Sequence, residues 1–402
     1  MNTLAPNLVI DGDTHIEEHP AVWEYIDDEF KARRPVTIEI NTIPGRPERD
    51  VHWFIDGAVF PRMMGHGVTC HGSPVLTTFA KRKPASVEAQ AILNVNDRLA
   101  AMDLVGVDVH VVYPTVFLQT VTNDFRYEGA LMRSYNDYVA QRSGDARGRL
   151  RWIAAVPIRH VRGAVHEMRR CHAMGASGVM LLGSAGDQLL HERVFDPFWE
   201  TAELLRMPIC IHTGWSHNSL LASCDSPAAG LVLSVDFSLV LGLFSFVAGG
   251  IFDRFPHLKV GLIEGGVEWF PVAVKRMQHW LETPTGHPWP AKQEPRYYLS
   301  ECAIYFGVGG DEDDLPHVIK VLGEDRLIGG QDFPHTHFKG SRLGQSFLDL
   351  RERKDVSDDT KRKIICDNAA AFYGIQNTDV RPGRRQIVDR PESAQPSLSQ
   401  LQ

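Results

Sequence analysis

The sequence contains no CxxC pair. Its six cysteines, Cys70, Cys171, Cys210, Cys224, Cys302 and Cys366, are widely spaced. Three of them, Cys210, Cys302 and Cys366, sit in apolar stretches, where a reduced thiol behaves as a small hydrophobe. A thiol-reduced, cytoplasmic protein is therefore expected. Basic excess is missing too: 42 Lys and Arg face 50 Asp and Glu, for a net charge of -8. With no basic stripe to attract phosphates, nucleic acid is not expected as a partner. The N-terminal residues, Met1 to Pro6, lack the basic region and apolar core of a signal peptide. The longest apolar stretch, Leu239 to Phe252, holds three glycines and is too short to span a bilayer. It reads as a buried helix, and no membrane partner is expected.

What the chain does have is enough apolar material for a large core, 43% of 402 residues. Eight strand-like runs stand out: Leu8–His15, Val107–Thr115, Leu150–Ile158, Ala176–Gly183, Met207–Gly214, Leu258–Gly266, Tyr297–Phe306 and Leu327–Pro334. Most are nearly continuous apolar runs, the mark of parallel strands covered on both faces. Helical patterns alternate with them over Asn96–Val105, Asp124–Gly144, Val161–Met174, a segment opened by Asp196 as cap and Pro197, Leu231–Arg254, Glu268–Thr283, Asp311–Leu322 and Ser357–Tyr373. This alternation predicts an α/β fold, a (β/α)8 TIM-like barrel. Residues 1–375 would form it, with an insertion at about 16–95 after the first strand. Asp56-Gly57 marks a hairpin in that insertion. The tail, 376–402, is rich in Pro, Ser, Arg and Gln and is expected to be extended or disordered.

Acids and histidines close several of these runs. Asp13 and His15 lie two apart, so both would face the barrel axis. Carboxylate and imidazole together suit a divalent metal, although Asp13 alone reads equally as a turn cap and His15 as a buried histidine. His212 ends an apolar strand before Thr213-Gly214, a position better suited to a ligand than to packing. Asp332 and Glu264 each end a strand. Asp332 could bind metal and also hold a proton, or merely cap a turn before Pro334. Glu264 reads as a base beside the site or a substrate contact. Trp215 and His217 follow His212 and would line the mouth, where an aromatic ring and an imidazole could hold a planar acid. His335 and His337 follow Asp332. Arg62, from the insertion, would bring a cation for a substrate carboxylate, while Met63 and Met64 read as packing.

The opening Asp13-x-His15-x-x-Glu18, followed by Trp23, resembles the amidohydrolase-related family that includes aminocarboxymuconate semialdehyde decarboxylase and the resorcylate and carboxyvanillate decarboxylases. Phe255 to Gly266 with Trp269-Phe270-Pro271, Gly330 to His335, and Ile365 to Gly374 are similar to further signatures of that family. The resemblance implies a distorted barrel holding one divalent metal ion, zinc or alternatively manganese, on Asp13, His15, His212 and Asp332. It also implies a homodimer or homotetramer. The fourth strand ends Leu181-Leu182-Gly183 and offers no bridging lysine, which favours one ion over two. Two departures stand out: several decarboxylases have histidine where this chain has Glu264, and Asp13 replaces a His or Glu.

The expected function is a metal-dependent decarboxylase of an aromatic or unsaturated carboxylic acid, with Asp332 as proton donor. The alternative is a hydrolase of an amide, lactone or C–C bond using a metal-activated water, with Asp332 as base and Glu264 or His217 assisting. A non-catalytic barrel is disfavoured because all four ligand-type positions are filled.

Overall fold

Eight parallel strands form the centre of the molecule, each hydrogen-bonded to the next in chain order. They are β1 (Ile10–Ile16), β2 (Val109–Pro114), β3 (Leu150–Ala155), β4 (Gly178–Leu181), β5 (Ile209–His212), β6 (Lys259–Ile263), β7 (Ala303–Val308) and β8 (Leu327–Gly329). This computed structural model describes residues 8–40, 50–60, 85–230, 232–233, 237–283, 287–335 and 343–376. Arg62, Met63, Met64, His337 and the tail from 377 lie outside the described residues.

The ring closes between β1 and the chain just beyond β8. There the Asp332 N–H donates to the Asp13 carbonyl at 2.9 Å, and the His15 N–H donates to the Phe333 carbonyl at 2.5 Å. Closure thus passes through the residues that carry the acids and histidines of the rim. The strands are buried on both faces, as all six residues of β2 show, which explains their unbroken apolar sequence.

Helices α1 (Val95–Leu104), α2 (Phe125–Asp145), α3 (Val161–Ala173), α4 (Asp196–Leu205), α5 (Phe237–Val247), α6 (Phe270–Glu282) and α7 (Leu315–Leu322) lie between strands. Local sequence sets their ends. Asp124 caps α2 by accepting from the N–H groups of Arg126 and Tyr127. Gly175, at φ 89°, follows α3. The final helical segment begins at the expected cap, Ser357, whose hydroxyl accepts from the Thr360 N–H.

Three expected elements differ in the structure. Tyr297–Phe306 is not one strand: Pro295–Glu301 is a helix and only Ala303–Val308 is extended. Pro295, Tyr298 and Leu299 are buried while Tyr297 and Ser300 face out, which is helical spacing in a segment whose aromatic content suggests a strand. The apolar segment expected at Leu231–Arg254 breaks after Val247 and resumes as Ile251–Arg254, with Gly250 left-handed at φ 72°. The stretch Phe237–Arg254 is apolar and long enough to cross a bilayer by length and composition alone. Here it packs Leu239, Leu243, Phe246 and Val247 into the core. Asp196 is the first residue of α4 and not its cap; its carboxylate accepts from Arg254 Nε at 3.0 Å.

Part of the 16–95 insertion is a three-stranded antiparallel sheet, Val36–Ile40, Asp50–Ile55 and Ala58–Phe60. Asp56-Gly57 turns between the last two strands with positive φ at both residues. Trp53 from this sheet is buried edge-on against Trp23, at 5.7 Å between ring centroids. The five described cysteines, Cys171, Cys210, Cys224, Cys302 and Cys366, are free and buried.

One close approach shapes the rim. The Ser238 hydroxyl of α5 accepts from the Gly183 N–H at 2.9 Å and donates to the His212 carbonyl at 2.7 Å. It joins the end of β4 to the end of β5. A Cβ on Gly183 would lie 1.7 Å from the Ser238 carbonyl oxygen. Gly183→Ala should therefore destabilise the fold by at least about 2–3 kcal/mol in urea denaturation. Gly144→Ala, where a Cβ meets nothing within 4 Å, should be neutral or stabilising by up to about 1 kcal/mol.

Candidate metal and proton-transfer site

Strand ends bring five side chains together at the carboxyl rim of the barrel. His15 Nε2 lies 3.6 Å from Asp13 Oδ1, 3.6 Å from Glu264 Oε2 and 3.4 Å from Asp332 Oδ1. His212 Nε2 lies 3.4 Å from Asp13 Oδ1 and 3.3 Å from Glu264 Oε2. Both imidazoles are fully buried, and Asp13 and Asp332 are each 4% exposed. Asp13, His15, His212 and Glu264 form one group of potential ligand atoms; His15, Asp332 and His335 form a second that shares His15.

The surroundings aim both imidazoles inward. His212 Nδ1 is 2.9 Å from the Thr213 carbonyl, which accepts and so places the proton on Nδ1. His15 Nδ1 is 3.3 Å from the Thr115 hydroxyl, which itself donates to the Ile16 carbonyl at 2.8 Å and so accepts from His15. Each Nε2 then faces the carboxylates, the orientation that outer partners impose on metal-binding histidines. Beneath them the buried Tyr113 ring lies 5.1 Å from His212 and 5.9 Å from His15. The Tyr113 hydroxyl is 2.7 Å from that of Tyr373, which donates to the Gly12 carbonyl.

The donor set fits a divalent ion. Atoms about 2.0–2.1 Å from a tetrahedral centre are about 3.3–3.4 Å apart, and the nitrogen–oxygen spacings here are 3.3–3.6 Å. His15 Nε2 and Glu264 Oε2 are buried without a hydrogen-bond partner among the described residues, a costly state that a cation would relieve. Charge agrees. Burial alone would raise the Asp13 carboxyl, but the His15 and His212 imidazoles beside it hold it below the usual carboxylate range. Burial alone would lower His15, yet Asp13, Glu264 and Asp332 together push it well above the ordinary imidazole value. The site has an appetite for positive charge.

The structure differs from the sequence reading over Glu264. The sequence motifs set Glu264 apart from the ligand group, whereas its carboxylate lies in one group with Asp13, His15 and His212. Glu264 has φ 68° and Asp332 φ 50°, both left-handed. Such a conformation is uncommon for residues with a side chain and costs of order 1–3 kcal/mol. At the end of β6 it turns the Glu264 side chain back toward the axis.

Other expected site residues are placed as follows. His335 Nδ1 is 2.7 Å from Asp332 Oδ1, and its Nε2 is 3.4 Å from Glu17 Oε1. Trp215 is 2% exposed and its backbone N–H donates to the Leu118 carbonyl. His217 stands outside the cluster: its Nδ1 accepts from the Leu220 N–H and lies 3.3 Å from Asp187 Oδ1. It caps a short helix on the rim, and neither metal group includes it.

A cavity of about 150 Å³ opens beside the cluster, walled by Asp13, Glu264 and Asp332 and by Gly307, Gly309 and Gly330. A Cβ on Gly330 would stand 2.7 Å from the Asp13 Cβ, so glycine is what leaves this wall thin. The larger groove, about 910 Å³, lies outside the barrel between α6 and α7 and touches none of these acids.

Sequence reasoning missed the supports. Glu18 is fully buried and its two oxygens accept from the N–H groups of Thr115 and Val116 at 2.9 and 3.1 Å. It pins the segment after β1 to the end of β2. Its place in the Asp13-x-His15-x-x-Glu18 spacing was the available signal. Arg98, which donates to the His15 carbonyl, had none, since an arginine on a helix normally reads as solvated.

The comparisons with known proteins agree with the fold. Residues 69–375 match the family model described as Amidohydrolase. A 2-amino-3-carboxymuconate-6-semialdehyde decarboxylase from Dictyostelium discoideum is 25% identical over 249 residues, covering 61% of this chain and 67% of the relative. A crystal structure of an amidohydrolase from Mycobacterium avium subsp. paratuberculosis superimposes with a TM-score of 0.70 at 21% identity, covering 92% of this chain and 98% of the other. A dihydroxybenzoic acid decarboxylase from Polaromonas sp. JS666, solved with bound manganese and 2-nitroresorcinol, superimposes with a TM-score of 0.57 at 22% identity, covering 69% and 85%.

Two measurements check this site. Adding Mn2+ or Zn2+ to chelator-stripped protein should raise its melting temperature, since an ion at about 100 times its Kd adds about 2.7 kcal/mol. His15→Ala should abolish that rise, and Glu264→Gln should weaken ion binding at least tenfold by calorimetry. The second concerns pH. Burial raises the Glu18 carboxyl from 4.5 to about 7, so the folded state keeps a proton that the unfolded chain releases above 4.5. Wild-type stability relative to Glu18→Gln should thus fall as pH rises from 4.5 to 7, by at most about 3 kcal/mol in urea titrations.

Proposed function

The chain belongs to the amidohydrolase family, and from that premise we propose that it is a metal-dependent decarboxylase of an aromatic or unsaturated carboxylic acid. The observation that carries the reading is the division of the rim into two groups sharing His15. Asp13, His15, His212 and Glu264 converge on one point, while Asp332 is drawn to one side by His335. One group is built to hold a cation and the other to hold a proton.

Asp13, His15 and His212, with Glu264, would hold one divalent ion, zinc or manganese. When bound, such an ion supplies the positive charge that draws and orients a substrate carboxylate and a neighbouring oxygen. The chain's residues do the rest. Asp332, in its acid form, stands at the edge of the metal group and delivers its proton to the carbon that bears the substrate carboxylate. The C–C bond to that carboxylate then breaks. Its electron pair restores the π system of the ring or double bond, and CO2 leaves. Asp332 is left as a carboxylate and regains a proton from solvent. His335 takes up Asp332 Oδ1 and so fixes which way the acid points. The cluster is buried away from bulk water, and a charged carboxylate is more readily lost as neutral CO2 in such surroundings.

Manganese in the dihydroxybenzoic acid decarboxylase and the reaction named for the Dictyostelium relative support this reading. A metal-dependent hydrolase would use the same first group, and the products separate the two: CO2 release marks the decarboxylase, solvent oxygen in the product the hydrolase. The reading includes a small-molecule acid as substrate and a homo-oligomeric assembly. Val232 and Leu233, just before α5, and Phe237, its first residue, are exposed and offer an apolar surface for the latter.

Asp332→Asn tests the assignment. Asparagine tolerates the left-handed φ at this position, so the fold should survive. Turnover of a panel of hydroxybenzoates, followed as CO2 release, should drop at least about 1,000-fold. Wild-type turnover by a folded Asp332→Asn protein would show that the proton comes from elsewhere.

A further inference from the structure

Arg98 is fully buried on α1, and no carboxylate lies within 4.0 Å of its guanidinium among the described residues. A buried cation without a close counter-ion is expensive. Burial lowers its pKa to about 9, with Asp11 opposing the shift. Arg98 nonetheless uses every edge of the fork. Nη1 donates to the His15 carbonyl at 3.0 Å and to the Ala89 carbonyl at 3.3 Å. Nη2 donates to the Thr14 hydroxyl at 3.2 Å, and Nε to His110 Nδ1 at 3.1 Å. Its face lies 4.1 Å from the centre of the Phe333 ring.

These partners belong to the two segments that close the barrel. Thr14 and His15 are on β1. Phe333 directly follows Asp332, and Thr14 and Phe333 form a parallel bridge across the seam. That seam has only a few backbone hydrogen bonds, because Asp332 is left-handed and β8 ends at Gly329. Something else must hold the turn at a set distance from β1. Arg98 touches both sides at once, by hydrogen bonds to one and by cation–π contact with the other.

We propose that Arg98 is a positioning residue that clamps the His15 strand against the Asp332-Phe333 turn and so sets the distance between the proposed metal group and the proposed proton donor. The claim rests on the reading of those two groups given above. Lysine cannot replace it, because one ammonium, with three N–H donors on a single atom, cannot reach all four acceptors and stack on a ring together.

The test uses Arg98→Lys and Phe333→Leu in the full chain, with circular dichroism to establish folding. Arg98→Lys should lower Mn2+ affinity at least tenfold by calorimetry and kcat at least tenfold, with KM changed less than threefold. Its crystal structure should show the 3.4 Å separation of His15 Nε2 and Asp332 Oδ1 widened by about 1 Å or more. Phe333→Leu, which keeps the fork and removes only the stacked ring, should shift affinity and kcat in the same direction by at least threefold. It stands as the deciding variant if Arg98→Lys does not fold. A residue that merely held the core together would lower the melting temperature and leave kcat per folded molecule and ion affinity unchanged, and that result overturns the proposal. Wild-type protein that takes up no ion would overturn the metal reading instead. In that case the unchanged or widened separation in the Arg98→Lys crystal still decides the clamp.

Discussion

Three carboxylates share one buried imidazole: Asp13, Glu264 and Asp332 all approach His15 Nε2 within 3.6 Å. That crowding of charge away from water is the constraint on which the rest of the structure turns. Left to itself it would push the acids apart or neutralise them. The protein resists both by making the rim rigid. Ser238 ties β4 to β5, Glu18 ties the segment after β1 to β2, and Tyr373 ties the final helix to Gly12. The first and last anchor backbone at His212 and beside Asp13, and the second holds Thr115, whose hydroxyl meets His15, so the side chains cannot drift apart without breaking hydrogen bonds in a dry interior.

The barrel supplies the convergence and the irregular strand ends supply the aim. Regular parallel strands would direct Glu264 and Asp332 along the alternation of their own strands. Both residues instead adopt left-handed backbone, and glycines around them, Gly307 and Gly330, keep the neighbouring strands free of side chains that would fill the space. Strain at two residues is spent on one small volume, where functional strain is commonly stored.

Much of this architecture is legible in the amino-acid sequence. The eight strands can be read because unbroken apolar runs end in acids, histidines and glycines, and Ser357 and Gly175 mark helix ends by simple capping chemistry. Two kinds of information are hidden. Secondary structure is obscured where side-chain type and spacing disagree, as in Pro295–Glu301, whose tyrosines suggest a strand while its burial follows a helix. Long-range pairing is hidden altogether. Nothing around Arg98 in the chain announces that it would meet His15 and Phe333, which are far from it along the sequence. The direction of Glu264 is hidden for a different reason: the sign of φ at a residue before two glycines is not written in their identities.

The proposed chemistry also limits how the acids can act together. A tetrahedral ion with four permanent protein ligands has no open position, whereas a catalytic ion must keep one for substrate or expand its coordination. Asp13, His15, His212 and Glu264 therefore cannot all remain fixed ligands throughout turnover at a four-coordinate ion. Asp13 is held by two imidazoles and backbone closure, and Asp332 is engaged by His335. Glu264 is different. Its Oε2 also lies 3.6 and 3.3 Å from His15 and His212, but the residue precedes Gly265-Gly266, a permissive stretch of backbone on the rim. On the proposed reading Glu264 would be among the residues that hold the ion, and its permissive backbone would let that side chain give way to a substrate carboxylate of the same charge.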